Sequence, residues 1–263
     1  MDYTEFLNEI KMTKRKTTWK YYQYALANFP EATIEEVCNF IDNFPAADTT
    51  KKGYLRVLNI ALEYYGLMTK PMRRILRGFR PDEPIQECPT TEQIELVWKN
   101  LPTSRERAMF SLMTYMGLRI GEVIGLDLDD IRKDRVILRK TKGHRADALP
   151  LVHPRVKQSI NEYIHGDRLD TDDTALFTGR RGRLGLGTAK NMFCKEFKDN
   201  GLSQFHCHSL RRYFANMMYT HGVSLVDMQD NMRHASADTT RRYLNLTQQN
   251  RVAAMEKTWG AMI

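Results

Sequence analysis

The chain has 263 residues, with 40 Lys and Arg against 32 Asp and Glu, a net charge of +8 and 42% hydrophobic residues. It can therefore bury a core, and disorder is excluded as its main state. Mean hydropathy is −0.53, there is no apolar run long enough for a membrane span, and Met1-Asp2-Tyr3-Thr4-Glu5 lacks the basic start and apolar stretch of a signal peptide, so a cytoplasmic protein without a membrane partner is expected.

In chain order, residues 1–88 place apolar side chains at helical spacing: Phe6 and Ile10; Trp19, Tyr22, Tyr24 and Phe29; Ile34, Val37, Phe40 and Ile41; Leu55, Leu58, Ile60, Leu62 and Tyr65. Thr33 with Glu36 reads as a capping box, and Asp48 or Thr49 as the cap of a longer helix ending near Gly66. This predicts a small helical bundle. Its net charge is only +1, yet Lys11, Lys14, Arg15, Lys16 and Lys20, then Lys70, Arg73, Arg74, Arg77 and Arg80, form two basic clusters. Each reads either as a polyanion-binding face or as a solvated helix surface. Residues 80–89 hold Pro81, Pro84 and Pro89 and predict an extended linker.

Residues 89–263 carry +7. Helices are predicted at about 91–100, 105–116 (stopped by Gly117) and 121–125, followed by a strand at Arg135–Arg139 paired with Ala148–Val152 across a turn at Lys142-Gly143-His144. Further helices are predicted at about 153–165, 187–199, 208–221, 224–232 and 238–244. A last amphipathic segment from about Gln249 carries Val252, Met255, Trp259 and Met262. The fold class is therefore mainly α with a small antiparallel β-sheet.

Several residue types here suit phosphate chemistry. In Gly117-Leu118-Arg119-Ile120-Gly121-Glu122 the carboxylate three residues past Arg119 can hold its guanidinium on one helical face. His208 and Arg211 stand one helical turn apart, and His234 precedes Tyr243 by nine residues. Two arginines can fork onto the non-bridging oxygens of a phosphodiester, histidines can bond those oxygens or move a proton, and a tyrosine oxygen can attack once positive charge and a base help it ionise. Taken singly, each of these residues also has an ordinary structural reading as core or surface. His206, Cys207 and His208 with Cys194 raise a zinc reading, disfavoured because consecutive side chains cannot all face one metal. The four cysteines (Cys38, Cys88, Cys194, Cys207) contain no CxxC pair and are expected as reduced thiols. Asp127–Asp130 and Asp170–Asp173 read as divalent-ion sites or, more simply, as turns and helix caps.

Taken together, GLRIGE, HSLRR and RHASADTTRRY resemble the motifs of the tyrosine recombinase (phage integrase) family: an arginine in a GLR-x-x-E box, a hairpin lysine, H-x-x-R, and His or Trp nine residues before a nucleophilic tyrosine. The resemblance implies Arg119 and Arg211 as phosphate-clamping arginines, His208 and His234 as the two histidines, Glu122 as a supporting carboxylate and Tyr243 as nucleophile. Lys142 matches the lysine that protonates the leaving 5′-oxygen, with Lys140 as the alternative. It also implies an N-terminal helical core-binding, DNA-clamping domain (1–80), a Pro-rich linker (81–89) and an α/β catalytic domain (90–263) with an oligomerisation segment from about 249. The implied activity is site-specific recombination of double-stranded DNA through a 3′-phosphotyrosine, by a tetramer on two DNA sites, with no cofactor and no metal. The alternatives are type IB topoisomerase-like relaxation and a non-catalytic DNA-binding regulator. Two departures stand out: His206-Cys207 replace the family's frequent Thr-Pro, and Met232-Arg233 replace its Leu-Gly, which removes a glycine helix stop. Arg233 reads equally as a DNA contact or as a solvated charge.

Overall fold

The computed structural model describes residues 1–81, 87–139, 146–169 and 173–233. The chain falls into two compact units, Met1–Pro84 and Ile85–Ile263.

The first unit is helical: α1 (Thr4–Thr13), α2 (Lys16–Leu26), α3 (Ile34–Asn43), α4 (Asp48–Tyr64) and α5 (Lys70–Gly78). Phe6, Ile10, Phe29, Val37, Phe40, Leu55, Leu58 and Leu62 are buried as the periodicity requires, joined by Ala25, Leu26 and Met72. Two residues expected inside are outside. Tyr24 is 61% exposed, because Ala25 and Leu26 turn the buried face of α2 away from it; Ile34, in the first turn of α3, is 39% exposed. Thr33 caps α3 through the Glu36 N–H at 3.2 Å, but the Glu36 carboxylate reaches past the cap to the Ala32 N–H at 2.7 Å. Helix α4 has Ala47 at its cap, and Asp48 sits inside the first turn facing Lys51 at 3.6 Å. The second basic cluster proves to be a helix of its own: Thr69 caps α5, Met72 anchors it, and Lys70, Arg73, Arg74 and Arg77 ride on it.

The second unit runs α6 (Thr91–Asn100), α7 (Ser104–Tyr115), α8 (Ile120–Gly125), a 3-10 turn (Leu128–Asp130), β1 (Arg135–Leu138), β2 (Asp147–Pro150), α9 (Pro154–Glu162) closing in a π turn (Tyr163–Asp167), β3 (Thr178–Gly179), β4 (Gly182–Arg183), α10 (Leu186–Asp199), α11 (Cys207–Thr220) and α12 (Leu225–Met232). Helix α7 is the hub, with Ala108, Met109, Phe110, Leu112 and Met113 fully buried between α9 and α11. Each large side chain removed from water there contributes about 1.5–3 kcal/mol.

The antiparallel pair β1–β2 has Val136 opposite Leu149. The second strand starts one residue earlier than expected, and the turn at 142–144 lies outside the described residues. A second ladder, Thr178 opposite Arg183, was not anticipated: its strands are two residues long, too short to show alternation. The helix at 238–244 and the segment from 249 also lie outside the described residues. Among those described, no helix is long and apolar enough to cross a membrane.

Candidate active site

Helix α7 ends at Met116, and Gly117 takes φ +62°, letting the Leu118 N–H reach the Leu112 carbonyl at 3.2 Å. A Cβ at 117 would run into the Phe214 ring of α11. This stop delivers Arg119, in extended conformation, to the N-cap of α8. Glu122, one turn on, accepts from the Arg119 backbone N–H and from its guanidinium, both at 2.8 Å. The i,i+3 spacing thus serves as helix cap and as ion pair, and the Arg119 side chain keeps 22% of its surface exposed.

Arg211 projects from α11 into the same place and is fully buried. Its terminal nitrogens donate to the carbonyls of Gly117 and Met232, while Glu122 stands 3.9 Å away. Arg211 therefore ties the Arg119 loop to the end of α12. His208, one turn earlier on α11, lies exposed at the edge of this cluster with its ring 6.1 Å from that of His206. Arg119, Glu122, His208 and Arg211 are brought together; Lys140, Lys142, His234 and Tyr243 lie outside the described residues.

Arg233 is neither solvated nor turned outward. Its side chain is 7% exposed and donates to Glu122 at 2.8 Å and to the Asn231 carbonyl at 2.9 Å. The expected loss of a helix stop does not occur, because Arg233 itself adopts the left-handed conformation, φ +51° and ψ +49°, that closes α12. Nothing in the sequence alone signals this: a charged residue beside a helix end in a basic chain reads as surface.

The Asp127–Asp130 run is structural. Arg139 bonds Asp130 at 2.5 Å and Asp127 at 3.3 Å, and Arg183 also bonds Asp127, so these carboxylates brace the root of the β1–β2 hairpin. Asp173 accepts the Ala175 and Arg183 N–H groups at 2.8 and 2.7 Å, as a turn residue does. Burial, with a smaller contribution from Cys194, pushes the Cys207 thiol up to about 11, which makes it a poor metal ligand at neutral pH.

Burial alone would raise the pKa of the Glu122 carboxyl. Arg233 first, and Arg119 after it, outweigh that effect and hold it below the usual value, so the group is a carboxylate facing three guanidinium ions. The cluster carries a formal excess of two positive charges. Desolvation first, then His206, Arg211, Lys190 and Arg119, hold the His208 imidazole below its ordinary value, leaving it neutral at pH 7 and able to accept a proton. His206 and His153 are lowered too, each by desolvation first; His153 accepts the Arg155 N–H at Nδ1, 3.2 Å away, and caps α9 only when that nitrogen is unprotonated.

An unfolded chain protonates these three histidines near their ordinary value of 6.5, whereas the folded one does so only at lower pH. Their contribution to stability is therefore full above that value and lost as pH falls below it. Thermal unfolding between about pH 7.5 and 5.5 should show a falling melting temperature; a flat profile would contradict the assignment.

The phage integrase family profile matches residues 89–250. The chain belongs to the phage integrase family, that of the tyrosine recombinases. The matched span contains Arg119, Glu122, Lys142, His208, Arg211, His234 and Tyr243, while residues 1–88 lie outside it. The chain is similar to tyrosine recombinase XerC of Corynebacterium glutamicum, 26% identical over 209 residues, covering 79% of this chain and 66% of the relative's length. It is similar to tyrosine recombinase XerA of Pyrococcus furiosus at 26% identity, covering 93% of this chain and 88% of that protein. A lambda integrase tetramer bound to a Holliday junction shares the fold, with a TM-score of 0.70 at 18% identity, over 92% of this chain and 76% of that one. Within the phage integrase family, the Arg119–Glu122 box thus sits where this chain's own cap, ion pair and glycine stop put it.

Proposed function

We propose that this protein is a site-specific DNA recombinase that breaks and rejoins duplex DNA through a 3′-phosphotyrosine at Tyr243. The observation that carries the reading is the convergence of Arg119, Arg211 and Arg233 on the single carboxylate of Glu122. Burying that much positive charge is costly unless an anion meets it, and a phosphodiester supplies one. Arg119, whose side chain keeps 22% of its surface exposed, would meet a non-bridging oxygen directly, while the buried Arg211 adds charge from beneath.

In the proposed reaction the Tyr243 oxygen attacks phosphorus and its proton passes to neutral His208, acting as general base. The bond to the 5′-oxygen breaks as Lys142, or Lys140 from the same hairpin, protonates the leaving group. His234 hydrogen-bonds the phosphate oxygens. A 5′-hydroxyl from a second strand reverses the step and completes the exchange, with no metal or nucleotide required. The N-terminal unit contributes phosphate contacts through Lys70, Arg73, Arg74 and Arg77 of α5 as a core-binding domain, so affinity should fall steeply with salt. Assembly as a tetramer on two DNA sites, with the segment from about 249 docking on a neighbour, is proposed by analogy with the lambda integrase tetramer on its junction.

Covalent capture tests this. The protein is incubated with fragmented host and mobile-element DNA in EDTA and denatured, and any DNA that stays attached is sequenced. Adducts at discrete sites are expected. Scattered adducts would favour a topoisomerase, and DNA binding without adducts a non-catalytic regulator.

A further inference from the structure

Arg233 occupies a backbone conformation that suits glycine. Its φ of +51° and ψ of +49° place an ordinary side chain in the left-handed region, which disfavours residues with a Cβ by roughly 1 kcal/mol. A non-glycine residue persists in such a conformation when its surroundings over-determine it, and strain of this kind gathers at functional sites. Here the surroundings are visible: the guanidinium turns back from the end of α12 and, 7% exposed, meets the Glu122 carboxylate at 2.8 Å, across 111 residues of sequence. The same Glu122 oxygen accepts the Arg119 backbone N–H at 2.8 Å, and the other oxygen accepts the Arg119 guanidinium. Arg211 binds the Met232 carbonyl next door, so the last turn of α12 is held from two sides. The next residue in the chain is His234.

We infer that Arg233 is a positioning residue: through Glu122 it locks the end of α12 against the Arg119 box, and so holds Arg119 in register with Arg211, which binds the Met232 carbonyl at that same end. The inference rests on the recombinase reading above. Arg233 itself does not touch the phosphate; it acts through Glu122 and through the backbone it closes. A glycine at this position would stop the helix equally well and supply none of the tie, so in this chain the ion pair is a constraint added on top of the stop.

Arg233→Gly separates the two contributions. Glycine relieves the φ strain, so the melting temperature should not fall through backbone strain, and DNA binding should fall much less than the rate. The initial rate of phosphotyrosine formation should drop by about tenfold to a hundredfold, the loss associated with small misplacement of catalytic groups. Two further readouts separate positioning from simple support of the fold. Dilute guanidinium, compared with sodium chloride at equal ionic strength, should restore part of the rate. The acid limb of the rate profile should also move to higher pH, because Glu122 loses the cation that chiefly holds its pKa down. Arg233→Lys, which keeps charge but not the fork, should fall between.

Wild-type rate in Arg233→Gly overturns the inference. So does a slowed variant with a lowered melting temperature that guanidinium does not rescue, since that is loss of structure alone. If the wild-type protein forms no adduct that Tyr243→Phe abolishes, the recombinase reading falls and the positioning role with it.

Discussion

Tyr243→Phe is expected to bind duplex DNA as the wild type does and to leave no covalent adduct after denaturation. Phenylalanine keeps the ring and deletes only the oxygen that would attack phosphorus. Arg119 and Arg211, the proposed phosphate-clamping arginines, are untouched, so binding should persist. What would be lost is the proposed attack on phosphorus, for which a phenol with an ordinary pKa near 10 needs nearby positive charge and a base to ionise. Removing the nucleophile of an enzyme of this kind costs on the order of 10⁴-fold or more, which puts adduct formation below detection. An adduct of undiminished yield would place the nucleophile elsewhere in the chain.

The second large effect is on folding. Glu122→Ala should destabilise the protein by about 3–5 kcal/mol, the usual cost of deleting one partner from a buried ion pair. Here one carboxylate faces three cations, and it also caps α8 through the Arg119 N–H. Deleting it removes the carboxylate that Arg211 and Arg233 share, so their mutual repulsion is no longer offset by it, and frees the first turn of α8. Glu122→Gln keeps an acceptor for the N–H but not the charge, so it should lie between alanine and wild type. Denaturant unfolding of the three proteins at pH 7 checks the order. A loss below about 1 kcal/mol for alanine would show that the three guanidiniums do not depend on this carboxylate.

Much of the site could be read from spacing, because spacing is what places side chains on one helical face. A spacing of three positions sets Glu122 back onto Arg119 at the N-cap of α8 and puts His208 and Arg211 one turn apart on α11, and the structure puts these four together. The apolar faces of α1, α3 and α4 were legible for the same reason. Other features depend on information that no window of sequence holds. Tyr24 fits the helical period yet lies outside, since Ala25 and Leu26, small and plain in the sequence, take the buried side of α2. Strands β3 and β4 are two residues each and show no pattern. Arg233 was ambiguous because its partner is 111 positions away and its backbone angle belongs to the tertiary structure. The aspartates at 127 and 130 read as a turn or an ion site until Arg139 and Arg183 are seen across from them.

Gly117 stops α7, but its position against Phe214 gives it a second effect. Phe214 lies three residues beyond Arg211 on α11, and Gly117 lies two residues before Arg119, so the contact joins the two segments that carry the arginines. Arg211 reinforces the joint by donating to the Gly117 carbonyl. The two guanidiniums cannot then drift apart separately: any displacement of one is passed to the other through this seam. A methyl group at 117 would wedge the seam open and alter the gap between the two guanidiniums, without changing any charged group. The spacing of the two arginines is therefore gauged by a side chain consisting of a single hydrogen atom.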